Sequence, residues 1–287
     1  MAGDLATLLP FEGDAYHGIK VDPSALPVGD PAAFAARLAA SLDHWRAESR
    51  RGVWLKLPLP GAASLVPAAI AAGFVAHHAE PGHIMLTTWL APGPSRLPAA
   101  ASHQVGVGAL VVSPRGPASA TYPADPALAA TPHVLVVQEA AGPLKGSGVW
   151  KMPTGLVDAG EDVVDAAVRE VGEETGVACV PVSLLALRQA HGFSFGASDA
   201  FFVIGLKTAS EGEVDKPVAP VDGEVEAVKW MPVSEYEALP FFHGRPLWAA
   251  VSSRCAAHAR GEYVGMRIEK LGNGFNGRED LVAMGEL

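Results

Sequence analysis

The sequence has little of what marks an extracellular, membrane or nucleic-acid-binding protein. Only two of its 287 residues are cysteines, too few for a disulfide framework or a zinc site, which favours a reducing compartment. No uncharged apolar run reaches about 18 residues, so no membrane span is predicted. Acidic residues outnumber basic ones by 31 to 21, and the formal net charge of −10 disfavours sequence-independent binding to nucleic acid.

The first residues also lack the features of a targeting segment. No lysine or arginine precedes Lys20, and three acidic residues precede position 15. Neither a secretory signal nor a transit peptide is therefore predicted. Together with the low cysteine content, this predicts a cytoplasmic protein.

The length of 287 residues is typical of two domains. Alternating helix and strand patterns predict an α/β domain over residues 1–98 and a second one over residues 103–265. Residues 91–102, which contain three prolines, are the predicted linker. Residues 266–287 form a C-terminal tail, in which NGFNGRED at 273–280 is predicted to be a loop or turn.

Local signals predict where some elements begin and end. A helix over residues 31–51 follows the N-cap Asp30 and ends before Gly52. A later helix is predicted from the capping box formed by Ser234 and Glu237.

The most informative stretch is a predicted helix over residues 162–174. An apolar stripe recurs at helical spacing, while Glu170, Glu173 and Glu174 crowd its last turn. The helix dipole disfavours anions there, and each like-charged pair costs roughly 0.2–0.5 kcal/mol. A divalent cation would relieve this repulsion. The alternative is an ordinary solvated acidic face, which is the more frequent meaning of an isolated Glu-Glu pair.

The residues around this helix resemble the Nudix box at every fixed position. The match consists of Gly155, Glu161 and the run REVGEETGV at 169–177. This resemblance implies a metal-dependent hydrolase of nucleoside diphosphates linked to another moiety. The implied fold is an α/β/α sandwich with a mixed sheet.

Several further runs are similar to one Nudix subgroup. They are FEGDAYHGIKVD in the first domain and WKMPTG, LRQAH, SDAFFVIGL and EVEAVKWMP in the second. The subgroup includes plant ADP-ribose/NADH pyrophosphatases and the animal Nudix protein encoded antisense to a fibroblast growth factor. Its leading domain is acetyltransferase-like, but no glycine-rich loop suited to acetyl-CoA is present here, so acetyl transfer is not predicted.

The resemblance assigns a set of metal ligands. Glu170 and Glu174 match the main ligands of Mg²⁺ or Mn²⁺, and Glu173 matches a residue that ligates the ion or steers water. The backbone carbonyl of Thr154 matches the ligand from the preceding loop.

The remaining positions of the box have supporting roles. Arg169 is expected to pair with Glu161 or Glu173 and to hold the carboxylates in register. The motif glycines are Gly155, Gly160 and Gly176, of which the first lets the backbone approach a ligand closely.

Two residues compete for the role of general base. Glu224 fits the place before a late strand from which many Nudix enzymes supply this base, and Glu173 is the rival. Glu226 would face the same side as Glu224 in a regular strand, so it stays open as well.

The substrate is less well defined than the reaction. ADP-ribose-preferring members often carry a proline at a position that Phe193 occupies here, and the extended signatures for NADH and coenzyme A are absent. The subgroup likeness favours ADP-ribose or NADH as the substrate, with a coenzyme A derivative or an oxidised nucleotide as alternatives. A different class of function, a nucleotide-binding regulator without catalysis, also stays open. Trp150, Phe193 and Phe195 are candidates for stacking on a base, although packing is the commoner role of such residues. A homodimer is a further state to test, since dimers are common in this family.

Overall fold

The structure is a computed structural model that describes residues 8–120, 125–221, 223–272 and 278–285. Residues 1–7, 121–124, 222, 273–277 and 286–287 lie outside these ranges, so the predictions for the first residues and for the centre of the tail loop fall outside the described structure. The chain divides into two compact units, residues 1–102 and 103–287.

The first unit is a five-stranded mixed sheet with two helices. Its strand order is β1-β2-β3-β5-β4, in which β2 and β3 are parallel and the other neighbours antiparallel. The elements are β1 (Phe11–Gly13), β2 (Ile19–Val21), α1 (Pro31–Ala47), β3 (Gly52–Pro58), α2 (Val66–Ala71), β4 (Val75–Glu80) and β5 (His83–Trp89).

One face of this sheet carries the core of the unit. Alternate strand residues pack with the apolar face of α1, since successive side chains on a strand point to opposite faces. The fully buried members include Ile19, Phe34, Leu38, Trp45, Val53, Leu55, Leu57 and Leu86. The opposite face carries Lys20, Trp54 and Trp89, none of which belongs to this core.

The first helix begins as predicted but ends early. Asp30 accepts hydrogen bonds from the backbone N–H groups of Ala32 and Ala33. The helix stops at Ala47, and Ser49 takes the left-handed conformation, with φ of 57°. The predicted end at Arg51 is therefore four residues too late, and Gly52 begins β3 instead of closing the helix.

The second unit is built on an eight-stranded mixed sheet. Its order is β11-β7-β6-β10-β9-β12-β13, with β8 paired to β6, and β6 and β10 are parallel. The strands are β6 (His103–Ser113), β7 (His133–Glu139), β8 (Thr154–Leu156), β9 (Cys179–Ala190), β10 (Ser198–Thr208), β11 (Val225–Pro232), β12 (Met266–Gly272) and β13 (Glu279–Met284). The helices are α3 (Val163–Thr175), α4 (Val233–Glu237) and α5 (Pro246–Ala259).

This sheet is covered on both faces. One core cluster packs α3 residues such as Val171 against Val107 and Ile204, and the other packs Tyr236 and Cys255 from α4 and α5 against the reverse face. The arrangement confirms the predicted α/β/α sandwich with a mixed sheet. None of the described helices is long and apolar enough to cross a lipid bilayer.

Two local predictions in this unit are wrong. The helix α4 starts after Pro232, so Ser234 lies inside it and forms no side-chain cap. Glu279 and Asp280, predicted as part of a loop, belong to β13, which pairs with β12 and extends the sheet.

Candidate functional site

The site is organised by α3, whose two ends are defined by different signals. Asp162 precedes the helix in an extended conformation, without a side-chain cap. At the other end Gly176 has φ of 72° and donates its N–H to the carbonyl of Gly172. A left-handed residue at this position stops a helix without steric strain only when it lacks a Cβ.

The acidic residues of α3 differ in exposure. The side chain of Glu173 is 52% exposed, whereas Glu170 and Glu174 retain only 8% and 3% of their accessible surface. Burying two carboxylates in the last turn of a helix works against both solvation and the helix dipole. The apolar stripe of α3 packs on the sheet, and that packing does not by itself require the two carboxylates to be buried.

Gly155 on β8 makes room for one of these carboxylates. A Cβ at this position would lie 1.9 Å from Cδ of Glu170 and 2.0 and 2.3 Å from its two oxygens. No side chain fits there while Glu170 keeps its place. The first glycine of the box is therefore required by a contact between β8 and α3.

The register of β8 aims a backbone carbonyl away from the sheet. The N–H of Ala109 donates to the carbonyl of Pro153, and that of Val157 donates to Val105, both at 2.9 Å. Because these bonds alternate along an antiparallel ladder, the carbonyls of Thr154 and Leu156 point away from β6.

The segment that carries Thr154 is held by a lysine. Lys151 Nζ donates to Thr154 Oγ1 at 2.5 Å and forms an ion pair with Glu139 at 3.0 Å. The backbone groups of Lys151 and Val137 exchange two hydrogen bonds at the same point. This lysine was missed in the sequence, although it lies in the WKMPTG run.

Arg169 uses all of its donors within the site. Its guanidinium makes two hydrogen bonds to Glu161, one each to Glu170 and Glu173, and one to the carbonyl of Leu156, all between 2.8 and 3.0 Å. A guanidinium has five N–H groups, so none remains for a ligand. Arg169 thus contacts both carboxylates that the sequence offered as its partners.

The charges of the site shift several pKa values. Hydrogen bonds from Arg169, and then from the N–H of Asp158, lower the pKa of Glu161 to about 2. The carboxylates of Glu161, Glu170 and Glu173 in turn raise the pKa of Arg169. Burial raises the pKa of Glu170, which Arg169 opposes and the charges of Glu173 and Glu224 reinforce.

Glu224 comes close enough to the site for its charge to act on Glu170. It is exposed, and its carbonyl accepts a hydrogen bond from the N–H of Ala140 at 2.9 Å. Glu226 lies two residues further along the chain, where the pairing of β11 with β7 is interrupted between Val225 and Ala227. A bulge interrupts the alternation of side chains along a strand. The regular rule, by which Glu224 and Glu226 would face the same side, therefore does not apply here.

These oxygens suit a hard divalent cation. The carboxylate of Glu170 lies against the Cα of Gly155, Glu174 follows one helical turn later, and the carbonyl of Thr154 is directed away from the ladder. Carboxylate and carbonyl oxygens are the ligands that Mg²⁺ and Mn²⁺ prefer. Within the described ranges, no three carboxylate, imidazole or thiol groups already converge as a cluster. The candidate ligands are the two buried carboxylates and the backbone oxygen of Thr154.

A cavity of about 220 Å³ lies beside Thr154. Its wall is mainly aromatic and aliphatic, with the ion pair of Glu139 and Lys151 at one side. The other lining residues are Leu144, Met152, Phe201, Tyr236, Phe241, Phe242, Trp248 and Val251. An apolar cavity with a few polar groups at its edge is typical of a small-molecule site.

The three predicted stacking residues do not line this cavity. Trp150 lies under the ammonium of Lys229 at 4.6 Å, and Phe193 is 41% exposed beneath Arg188. Phe195 is fully exposed at a turn, with φ of 56°.

The aromatic wall of the cavity is linked to Arg188. This guanidinium lies 5.3 Å from the ring centre of Phe201 and 5.8 Å from that of Trp248, and it pairs with the buried Asp199. Phe201 and Trp248 were missed because they read as ordinary strand and helix residues. Only the parallel pairing of β6 and β10 and the packing of α5 place them next to Thr154.

Gly160, the remaining motif glycine, has φ of 85° in the turn that leads to Glu161. The N–H of Glu161 donates to the carbonyl of Asp158, which closes this turn. The left-handed conformation again explains a glycine at the position.

Comparison with known proteins identifies the family of this chain. The model of the NUDIX domain matches residues 120–249, and that of the Nudix hydrolase domain matches residues 9–90. Nudix hydrolase 2 of Arabidopsis thaliana is 38% identical over 284 residues, covering 97% of this chain and 94% of the relative. Nudix hydrolase 8 of the same plant is 39% identical over 95% of this chain and 68% of its own length. The mouse nucleoside diphosphate-linked moiety X motif 6 protein is 40% identical over 72% of this chain and 62% of its own length.

Proposed function

Because the chain belongs to the Nudix hydrolase family and is a pyrophosphatase, we propose that it cleaves ADP-ribose, NADH or both to AMP and a second phosphate product. The observation that carries this proposal is the contact between Gly155 and Glu170, which places a buried carboxylate beside the backbone of β8. Stability alone does not account for a buried acid in this position.

The metal requirement of the family fits the residues of this chain. Nudix hydrolases need a divalent cation, and we assign it as Mg²⁺ or Mn²⁺ held by Glu170, Glu174 and the Thr154 carbonyl, with Glu173 as a further ligand or water-orienting group. When bound, such a cation neutralises phosphate oxygens and lowers the pKa of a bound water.

The chain's own residues then divide the remaining tasks. Arg169 fixes the carboxylates of Glu161, Glu170 and Glu173 through its saturated set of hydrogen bonds. Glu224, which carries no ligand role, accepts the proton from the attacking water. The water oxygen forms a new bond to phosphorus, and the bridging oxygen leaves with the other phosphate. Glu173 is the alternative base.

The choice of substrate depends on the likeness of residues 10–265 to the plant pyrophosphatase subgroup. The cavity bounded by Phe201 and Trp248 offers an apolar surface for the part of the substrate that extends beyond the diphosphate. Trp150, Phe193 and Phe195 stay candidates for contacts outside it. A coenzyme A derivative and an oxidised nucleotide are the alternative substrates.

The test measures the nucleotide products formed with EDTA, Mg²⁺ or Mn²⁺: AMP from ADP-ribose or NADH, adenosine 3′,5′-bisphosphate from acyl-CoA, and dNMP with pyrophosphate from oxidised and unmodified dNTPs. We expect AMP from ADP-ribose or NADH only with a metal ion. Loss of a residue that only supports a metal ligand costs up to about 100-fold in activity. Glu174 is proposed as a direct ligand, so Glu174→Gln should reduce activity by more than that factor. Glu262→Gln, which removes an exposed carboxylate paired with Arg260, is the matched control and should retain activity.

The outcomes separate the classes of function. Binding of ADP-ribose without turnover would favour the non-catalytic regulator. Cleavage of acyl-CoA or dNTPs alone would replace the proposed substrate and keep the reaction. Full activity of Glu174→Gln would remove the proposed ligand.

We also propose a cytoplasmic location and, because dimers are common in this family, a homodimer. Both cysteines are free thiols, as is usual in a reducing compartment. Burial raises the pKa of Cys179 to about 11 and of Cys255 to about 12, which keeps both thiols protonated and unreactive. Fractionation of cells and sedimentation of the purified protein test these two statements.

A further inference from the structure

A cavity larger than the one beside Thr154 lies in the first unit, away from the residues assigned to the proposed reaction. It measures about 570 Å³ and opens on the face of the sheet opposite the hydrophobic core. It is lined by Asp14, Tyr16, Gly18, Lys20, Arg51, Gly52, Trp54, Trp89, Arg96, Leu97 and Pro98.

The strand register explains why these side chains meet. Lys20 on β2 pairs with Trp54 on β3, and Gly52 on β3 pairs with Trp89 on β5. Gly52 and Trp54 are two residues apart, so all four positions share one face of the sheet. The result is a floor formed by two indole rings and an ammonium group.

The segment after β5 supplies the opposing wall. Leu97 packs on Gly52 so closely that a Cβ there would lie 2.4 Å from its Cδ2. The carbonyl of Pro98 lies 2.9 Å from Nε2 of His77, whose ring contacts Trp54 edge to face at 5.0 Å. These contacts fix the wall, from which Arg96 reaches the cavity.

The charges around this cavity are unbalanced. Lys20, Arg51 and Arg96 form no ion pair with any carboxylate in the described part of the chain. Among the lining residues the one acid, Asp14, accepts hydrogen bonds from the backbone N–H groups of Tyr16 and Gly18 at 2.8 and 2.7 Å. Glu12 lies opposite Lys20 on β1, but the two form no ion pair in the described part of the chain. Three cations without carboxylate partners in a protein of net charge −10 mark a place for an anion.

We propose that this cavity is a second binding site, for a nucleotide-like anion that carries a phosphate and a planar ring. Arginine side chains suit the bidentate recognition of phosphate, and indole rings stack on planar bases. Binding here needs no divalent cation, because the protein itself supplies the positive charge.

The test uses AMP, which has no anhydride bond to hydrolyse. Its binding to the full-length protein in EDTA is measured by calorimetry. Adenosine, which lacks the phosphate of AMP, and ribose 5-phosphate, which lacks the base, are measured in the same way. We expect AMP to bind more tightly than either half. The double variant Arg51→Gln/Arg96→Gln should weaken AMP binding by about tenfold or more, since it removes charge-assisted hydrogen bonds.

Three further variants separate this site from its alternatives. Arg46→Gln removes an exposed charge on α1 and should change AMP affinity by no more than about twofold. Glu174→Gln should also leave it unchanged. Trp54→Leu should weaken AMP and adenosine alike without affecting ribose 5-phosphate.

The proposal fails under any of three results. One is the absence of AMP binding at millimolar concentration in EDTA. The second is an equal effect of Arg46→Gln and Arg51→Gln/Arg96→Gln. The third is loss of binding in Glu174→Gln alone, which would place AMP at the carboxylates of α3.

Discussion

The two units of this protein carry candidate sites of opposite charge. Around α3, Glu161, Glu170, Glu173, Glu174 and Glu224 accompany a single arginine. In the cavity of the first unit, three cations accompany a single carboxylate that is already bound to backbone N–H groups. Both sites can bind a phosphate, but the acidic site needs a metal ion to offset the repulsion between its carboxylates and the phosphate.

The arginines of the two units show the difference most clearly. Every donor of Arg169 is engaged by its own unit, so this residue holds carboxylates in place. Arg51 and Arg96 have no ion pair within the described residues, so their donors remain available. Arg51 and Arg96 can therefore donate hydrogen bonds directly to a phosphate, whereas Arg169 cannot.

The largest effect is expected from Gly155→Ala. The new Cβ would overlap the carboxylate of Glu170, and a misplacement of about 1 Å can already reduce a rate by about 100-fold. We expect kcat to fall by at least that factor, while AMP binding in EDTA stays at its wild-type value. Kinetics and calorimetry on the same preparation measure both quantities.

Gly172→Ala is the control for this substitution. A Cβ at Gly172 meets no atom within 4 Å, and the residue lies inside α3. Alanine should therefore retain activity and raise the free energy of unfolding by about 0.5–1 kcal/mol. Similar activity losses in both variants would show that the contact with Glu170 is not the reason for Gly155.

The next effect concerns the base. Glu224→Gln should lower kcat by about 10²–10³-fold, since general bases contribute 10²–10⁴-fold. Glu226→Gln, at the bulge, should change it little. Activity is measured over a pH series with saturating Mg²⁺. A larger loss in Glu226→Gln, or none in Glu224→Gln, would transfer the role to Glu226 or Glu173.

The sequence was sufficient for the helix and for the family. Regular spacing predicted α3 to within one residue at each end, and the resemblance to the box correctly implied a hydrolase fold. Such features depend on local periodicity and on a motif with many fixed positions. The same holds for Asp30, whose side chain caps the helix that follows it directly.

What failed depended on irregular backbone or distant contacts. On a regular strand His77 and His78 would face opposite sides, but their Nδ1 atoms lie 2.6 Å apart where the pairing shifts between Ala76 and His78. The bulge at Glu226 breaks the same rule in the second unit. Bulges depend on the partner strand, so one strand's sequence does not reveal them.

A smaller effect is expected at the apolar cavity of the second unit. Trp248→Ala should raise KM for ADP-ribose by about tenfold with little change in kcat, since stacking on an aromatic ring contributes about 1–3 kcal/mol. Phe195→Ala, at the exposed turn, should have a smaller effect. The reverse order would favour the stacking role predicted from the sequence for Phe195.

The smallest effect should appear in the dependence of stability on pH. The pKa of Glu161 is about 2 in the folded protein and 4.5 without its partners, so the folded state binds fewer protons between these values. The stability that Glu161 contributes is therefore complete above about pH 4.5 and is lost as pH falls towards 2. Glu161→Gln should cost about 1 kcal/mol near neutral pH, because hydrogen bonds to charged groups are partly screened here. In urea unfolding with EDTA, the wild-type and Glu161→Gln curves should converge below about pH 4.5. Curves that stay parallel down to about pH 3 would mean that Arg169 does not stabilise the charged form of Glu161.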